Sequence, residues 1–512
     1  MNSWNEGYFT DSTYTFGYYR DISPAWQNFC LLLNGFDAPE LNENNTHCEL
    51  GFGQGVSANI HAAATLGKYF GTDFNPAQAA HANELCKASG ADAKFFDNSF
   101  EEFLNRDDLP QFDSISLHGI WSWVSPENQK HITDFAKKFL KPGGVFYNSY
   151  NCFPGWSHGA PLRELFILHD KYAHKSSDTF NRVEEALNFT EELLNKNPAY
   201  FQRVPDVKNI FENAKKHNHD YLAHEYFNRD WICMYFSEVA EILESAKLEF
   251  ACTSDLMEIL PQFNLPQDAL DFLNKIENHI MREQVKDYFF NRQFRKDIYI
   301  RGGRKISDFE RISKLISTNY VMMQRSKFPQ KVAVPLGEVN LPEDLTEKVF
   351  EYLSADNFKA KNFENFIRKN PETSPMNLIQ MLVFLIRNGN ILPCQSESTV
   401  QSVKKNCIAL NKFICNRAKI ADEVDFLASP LLGVGYPVHR FDRIFISAMF
   451  DGKKDVDEIA NFAWEVFSEQ GQKLVMEEKT LESAEENISQ FKIIVQDFFD
   501  NHLDIIKSLQ II

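Results

Sequence analysis

The sequence predicts an α/β protein: a doubly wound Rossmann-like sheet followed by largely helical, partly winged-helix-like C-terminal domains. Three observations predict it. Residues 47–55 read His-Cys-Glu-Leu-Gly-Phe-Gly-Gln-Gly, an apolar strand that ends in an acid and runs into a loop with three glycines. Short apolar stretches then alternate with helical ones, the pattern of a parallel sheet with right-handed crossovers. Lys141-Pro142-Gly143-Gly144, a helix stop, leads into a fifth strand.

Each element follows in order. Residues 1–45 read as a Tyr-rich cap with a helix from Pro24 to about Leu33. Glu49 closes the first strand. Gly51, Phe52, Gly53 and Gly55 form the loop, where glycine lets backbone turn tightly or approach a ligand closely. A helix from Val56 to Leu66 adds unpaired N–H donors behind it. Lys68–Asp73 reads as a second strand, and Asp73 lies about 20 residues past the loop, where an acid binds ribose hydroxyls. Its alternative role is the N-cap of the helix 76–88. Phe74 follows it. Ala93–Asp97 is a third strand with Asn98 next, and Phe112–His118 a fourth. Helix 128–140 precedes the fifth, Val145–Tyr150. This layout cradles a nucleotide-type ligand at the first βα turn.

Dinucleotide sites favour Gly-x-Gly-x-x-Gly, whereas this loop is Glu-x-Gly-x-Gly-x-Gly. It resembles the first motif of class I S-adenosylmethionine-dependent methyltransferases, and Lys-Pro-Gly-Gly before strand five is habitual in that superfamily. The resemblance implies that Asp73 binds the ribose hydroxyls of S-adenosyl-L-methionine and that Asp97 faces its adenine amine. The cofactor has no pyrophosphate, so its loop needs only close backbone approach to a zwitterionic tail, and Glu49 can hold the network around the ammonium. Three longer phrases narrow the resemblance: Phe112–Val124 (with His118-Gly119-Ile120-Trp121-Ser122-Trp123-Val124), Tyr147–Trp156 (with Ser149-Tyr150-Asn151-Cys152-Phe153-Pro154-Gly155-Trp156), and Ala223-His224-Glu225-Tyr226-Phe227-Asn228. They resemble a bacterial methyltransferase group with a methyltransferase regulatory domain, which includes the rickettsial protein-lysine methyltransferases. The similarity covers residues 45–260 well and the C-terminal half more loosely. Two departures stand out. Phe52 takes a position where that group often has Cys, and the segment 14–24 lacks the Pro-Gln-Thr-His-Pro stretch of the rickettsial enzymes.

Length and composition bound the rest. A 512-residue chain holds several domains, and 44% hydrophobic residues with 46 Phe supply large cores. No apolar run reaches membrane-spanning length, and the N-terminus lacks a signal-peptide pattern. Nine scattered cysteines without a Cys-x-x-Cys pair read as reduced thiols, which points to the cytoplasm. No His/Cys cluster has metal-ligand spacing, so no metal is expected. A net charge of −18 argues against a nucleic-acid partner and suits a basic, lysine-bearing protein acceptor or simply solubility.

The reading divides the chain into a cap (1–45), a cofactor-binding methyltransferase domain with a helical insertion and the regulatory segment (46–260), a middle helical, winged-helix-like domain (261–400) and a C-terminal helical domain (401–512). Within it, Lys247–Phe250 would complete the sheet. Arg301-Gly302-Gly303-Arg304 is a basic turn, read as surface in preference to a nucleotide contact. The helices of 341–394 suggest a docking module, and removal of residues from about 300 onward is expected to spare cofactor binding.

Methyl transfer needs a neutral nucleophile in line with the departing sulfur, and burial between aromatic walls both lowers an amine pKa and excludes water. Trp121, Tyr150 and Tyr19 are the candidate catalytic walls; Tyr18, Trp123, Asn148 and Asn151 are candidates for the acceptor side. His118 is a candidate cofactor contact. For each of these, core packing is the alternative. The chain has no Asn-Pro-Pro-aromatic phrase after strand four, so lysine as acceptor is what the resemblance implies. A small-molecule methyltransferase and a non-catalytic interaction protein that keeps the fold are the alternatives, and a homodimer is left open.

Overall fold

The structure, a computed structural model, describes residues 15–176, 178–216, 222, 225, 228, 230–476 and 479–512. Of the third phrase above, Ala223, His224, Tyr226 and Phe227 lie outside the described residues, as does the start of the cap.

Seven strands form one sheet: β1 (Thr46–Leu50), β2 (Lys68–Thr72), β3 (Ala93–Phe96), β4 (Phe112–Leu117), β5 (Leu140–Asn151), β6 (Glu249–Thr253) and β7 (Phe294–Ile300). Their order is β3-β2-β1-β4-β5-β7-β6. The first five run parallel, and β7 lies antiparallel to both β5 and β6. The expected strand at 247–250 is therefore present, shifted to 249–253, but it is not the neighbour of β5. A strand from beyond residue 260 separates the two, so the sheet extends past the boundary drawn from sequence. The Lys-Pro-Gly-Gly stop also works differently from its reading: α-helix ends at Phe139, and Leu140 already belongs to β5.

Alternation along the strands assigns the two faces. Ser114 and Ser116 point to one face, where they meet His47 and Gln27. Ile115 and Leu117 point to the other. The first face carries α1 (Pro24–Leu33) and α2 (Val56–Ala64), and its core runs without a break into residues as distant as Phe491 and Ile511. The second face carries helices Phe100–Leu104, Pro126–Phe139 and Phe236–Glu244, packed on Phe112, Phe146 and Tyr299. Helices of 160–214 form a separate small cluster around Phe166 and Phe211.

All nine residues of α2 are buried, because the C-terminal half covers the side that the sheet does not. Helix Glu397–Arg417 packs along α2 and α3 (Pro76–Ser89). The Cys407 thiol donates to the Ala63 carbonyl at 3.1 Å, and the Gln395 amide donates to the Ala64 carbonyl at 2.7 Å. Residues 343–387 hold three helices, and the strand Ile391–Cys394 after them pairs antiparallel with Asn319–Met322. The turn at Arg301–Arg304 is a surface feature, where Arg304 pairs with Asp37. No helix among the described residues is long and apolar enough to cross a membrane.

Candidate active site

The cleft opens at the carboxyl ends of β1, β2 and β4, the edge where such sheets place ligands. Its non-atom space, open mouth included, is about 1090 Å³. The loop after β1 is made by backbone that only glycine adopts readily: Gly51, Gly53 and Gly55 have φ of +71°, +56° and +72°. Space is equally restrictive. A Cβ on Gly51 would lie 2.4 Å from Ile120 Cδ1, and one on Gly55 would lie 2.4 Å from Ala82 Cβ and 3.0 Å from its Cα. The loop is thus held tightly against both its neighbours.

Asp73 follows β2 and fastens the loop. Its carboxylate accepts from the Gly53 N–H at 2.9 Å and from the Asn75 N–H at 3.1 Å. The N-cap of α3 is Asn75, not Asp73, which leaves Asp73 for the cleft. Burial raises the Asp73 carboxyl to about 7, against the pull of those two N–H donors. Glu49 sits at the cleft floor, and burial, with Asp73 nearby, raises it to about 8. Two desolvated carboxyls side by side favour a ligand that brings hydroxyl donors and positive charge. The ribose, ammonium and sulfonium of S-adenosylmethionine have that chemistry, so the residues present fit the cofactor.

The opposite wall comes from β4 and the cap. His118 donates to or accepts from the Tyr147 hydroxyl through Nδ1 at 3.0 Å and stacks on Tyr19 with ring centroids 3.9 Å apart. Burial lowers His118 to about 4, so its imidazole is neutral at physiological pH. Tyr19 is pinned by its backbone N–H, which donates to Ser57 Oγ at 2.8 Å in the first turn of α2.

Of the residues singled out from sequence, Glu49, Gly51, Phe52, Gly53, Asp73, Phe74, Asn98, His118, Tyr19 and Trp123 line this cleft. Others lie elsewhere. Gly55 sits behind the loop against α3. Asp97 points to solvent, and the cleft wall continues at Asn98, Ser99 and Phe100 instead. Trp121 is wholly buried in the second-face core. Tyr150 is buried there too, and its hydroxyl donates to Asp297 at 2.7 Å. Asn148 is buried at the centre of β5, and the Asn151 N–H donates to Ser122 Oγ. Tyr18 turns away from the cleft toward His61 and the C-terminal half. Strand alternation explains Asn148 and Tyr150: both point to the second face, away from the side that carries His118 and Tyr147. Lining residues that the sequence reading missed include Gln78, Phe100, Ile120, Asn128 and Asp230. Phe100 had a signal, since Ser99-Phe-Glu-Glu is a capping box that starts a helix at the end of β3. Among the described residues no group of side chains has the arrangement of a metal site.

A glycine loop from β1 into α2, an acid after β2 and a 3-2-1-4-5-7-6 sheet with β7 reversed together define a class I S-adenosylmethionine-dependent methyltransferase. The family described as "Methyltransferase domain" matches residues 48–144, and "Predicted methyltransferase regulatory domain" matches residues 218–301. The second match includes β6 and β7, so part of the segment called regulatory completes the catalytic sheet. The chain is 35% identical over 516 residues to the uncharacterized protein sll1526 of Synechocystis sp., covering 99% of this chain and 100% of that protein, and it belongs to the same family. The uncharacterized protein RP789 of Rickettsia prowazekii is 24% identical over 396 residues, 77% of this chain and 68% of that one. Among solved structures, PKMT2 from Rickettsia typhi in complex with AdoHcy shares the fold with a TM-score of 0.66 at 18% identity, over 98% of both chains. A second structure of PKMT2 from Rickettsia typhi gives a TM-score of 0.68 at 18% identity, over 97% of this chain and 99% of its own.

Proposed function

We propose that this protein transfers methyl groups from S-adenosylmethionine to lysine side chains of a protein acceptor in the cytoplasm. The observation that carries the reading is the end-to-end likeness to PKMT2, which takes in the C-terminal half as well as the sheet. The sequence phrases shared with the rickettsial protein-lysine methyltransferases point the same way. Of the residues that line the cleft, Glu49 would meet the ammonium of the cofactor, Asp73 its ribose, and Asn98 and Phe74 its adenine. When bound, the cofactor supplies an activated methyl group. Tyr19, His118 and Trp123 then form the wall that receives the acceptor. His118 is uncharged, so it sets no positive charge beside an arriving amine, and desolvation between these rings favours the neutral amine that attack requires. Tyr19, His118 and Trp123 would hold the amine in place and shield it from water while it takes up the methyl that the bound cofactor supplies. A net charge of −18 favours encounter with basic surfaces.

The test is incubation of cell extract with methyl-labelled cofactor and the purified protein, followed by mass spectrometry. Label on lysine side chains is the expected result. Label confined to small metabolites would replace the protein acceptor with a small-molecule one.

A further inference from the structure

The cap crosses the front of the cleft as the segment 15–19, and its side chains alternate. Thr15, Gly17 and Tyr19 face the cleft. Phe16 and Tyr18 face away: Phe16 meets the His81 ring of α3 edge-on at 5.3 Å, and Tyr18 reaches between α2 and a hairpin of the C-terminal half, Phe426–Ser429 with Val434–Pro437. The seat of Tyr18 is specific. Its hydroxyl accepts from the Gly435 N–H at 2.6 Å and lies 3.1 Å from His61 Nε2 on α2. Its ring packs against Phe426 with centroids 4.5 Å apart. Gly435 has no room for a side chain there, since a Cβ would fall 2.9 Å from Tyr18 Cζ. One residue further on, Tyr19 is fixed to α2 through Ser57 and stacked on His118.

We infer that Tyr18 is a positioning residue that clamps the front wall of the cofactor cleft to the C-terminal half. Through this clamp, the C-terminal half sets how long the cofactor stays bound. The inference concerns the cofactor side and goes beyond the proposed acceptor, whose identity it does not use. Removal of the Tyr18 hydroxyl takes away the partner of the Gly435 N–H and leaves Tyr18 held to the hairpin by its ring against Phe426.

The experiment compares full-length variants by the dissociation rate of S-adenosylhomocysteine and by amide exchange across residues 15–19 in the protein alone. Tyr18→Phe keeps the ring and is expected to release S-adenosylhomocysteine roughly 3–10-fold faster, the worth of one hydrogen bond, with quicker exchange in the segment and little change in association. Ser23→Ala removes a different hydrogen bond to the same hairpin, from Ser23 Oγ to the Gly433 carbonyl at 3.1 Å, and is expected to leave dissociation as in the wild type. Should Tyr18→Phe fail to fold, Gly435→Ala replaces it, because its methyl group would push the Tyr18 ring out of its seat. A wild-type dissociation rate in the variant that folds, or equal acceleration in Ser23→Ala, overturns the inference. A wild-type protein that binds no S-adenosylhomocysteine would sink the methyltransferase reading instead, and the exchange comparison would still decide the clamp.

Discussion

Glu49 and Asp73 carry most of the chemistry that a single side chain can carry here. Burial holds both above the ordinary carboxylate range, Asp73 at about 7 and Glu49 at about 8. For an acid, a folded-state value above the unfolded one means that the native protein keeps protons the unfolded chain has already released. These two carboxyls should therefore contribute less stability as pH rises from about 4 to about 8, because over that window they leave the unfolded chain with fewer protons, while the buried neutral His47, His61 and His118 act in the opposite sense at its acid end. Chemical denaturation at stepped pH, with Asp73→Asn beside the wild type, checks this; a wild type that gains stability relative to the variant across the window contradicts it. Cofactor binding should favour the ionised carboxyls and release protons near neutral pH. Calorimetric titration in buffers of different ionisation enthalpy measures that release, and heats independent of buffer would mean that both groups are already ionised. Asp73→Ala should weaken cofactor affinity roughly 10–100-fold, since a charged acceptor is worth about 1.5–3 kcal/mol and Gly53 also loses its anchor. Unchanged affinity in that variant would remove Asp73 from the site.

At the scale of elements, the loop between β1 and α2 is limited by space as much as by backbone angle. Gly55→Ala must push a methyl group into the Ala82 backbone, whereas Gly90→Ala, also at positive φ, meets nothing within 4 Å. Gly55→Ala should cost about 1–3 kcal/mol more than Gly90→Ala by the overpacking term alone. Denaturant midpoints of the two variants decide it, and equal midpoints would show that α2 and α3 can separate freely. The first five strands were legible because each carries a short apolar stretch and is followed by its own helix. β7 was not, and its residues say why. Arg295, Lys296 and Asp297 set three consecutive charges in its middle, yet Arg295 and Asp297 are buried and paired at 2.8 Å, with Arg295 also 2.6 Å from the buried Asp287. Charges that neutralise one another inside a sheet erase the alternation by which a strand is recognised. The aromatic residues of the site were half legible for a related reason. Proximity to a strand's end can be read from sequence, but the face to which Trp121 or Tyr150 points depends on pairing partners that lie far along the chain.

For the whole molecule, the expectation that residues beyond 300 can be removed without loss of cofactor binding does not suit the packing. The core under the first face of the sheet continues into the C-terminal helices, and α2, whose N-terminus faces the cofactor loop, is covered by helix Glu397–Arg417. A chain ending at Ile300 would expose one side of α2 and free the Tyr18 seat. It should be poorly soluble and should bind cofactor at least 10-fold more weakly, in keeping with the loss of several buried contacts. The full chain should unfold with its N- and C-terminal halves in one transition, shifted as a unit by cofactor. Scanning calorimetry with and without S-adenosylhomocysteine tests the coupling: two resolved transitions, only one of them moved by ligand, would restore the independent docking half.

The position of β7 in the sheet also has a consequence for how the protein is made. β5 ends at Asn151, but the strand that pairs with its open edge finishes only at Ile300. At about 5–20 residues per second of synthesis, the ribosome needs on the order of 10–30 s to deliver that partner. For this interval the emerging chain presents a long unpaired strand, of the kind that recruits other strands. The nascent protein should therefore be most dependent on chaperones between those two lengths, and stalled chains that end before and after β7 should differ sharply in their resistance to protease.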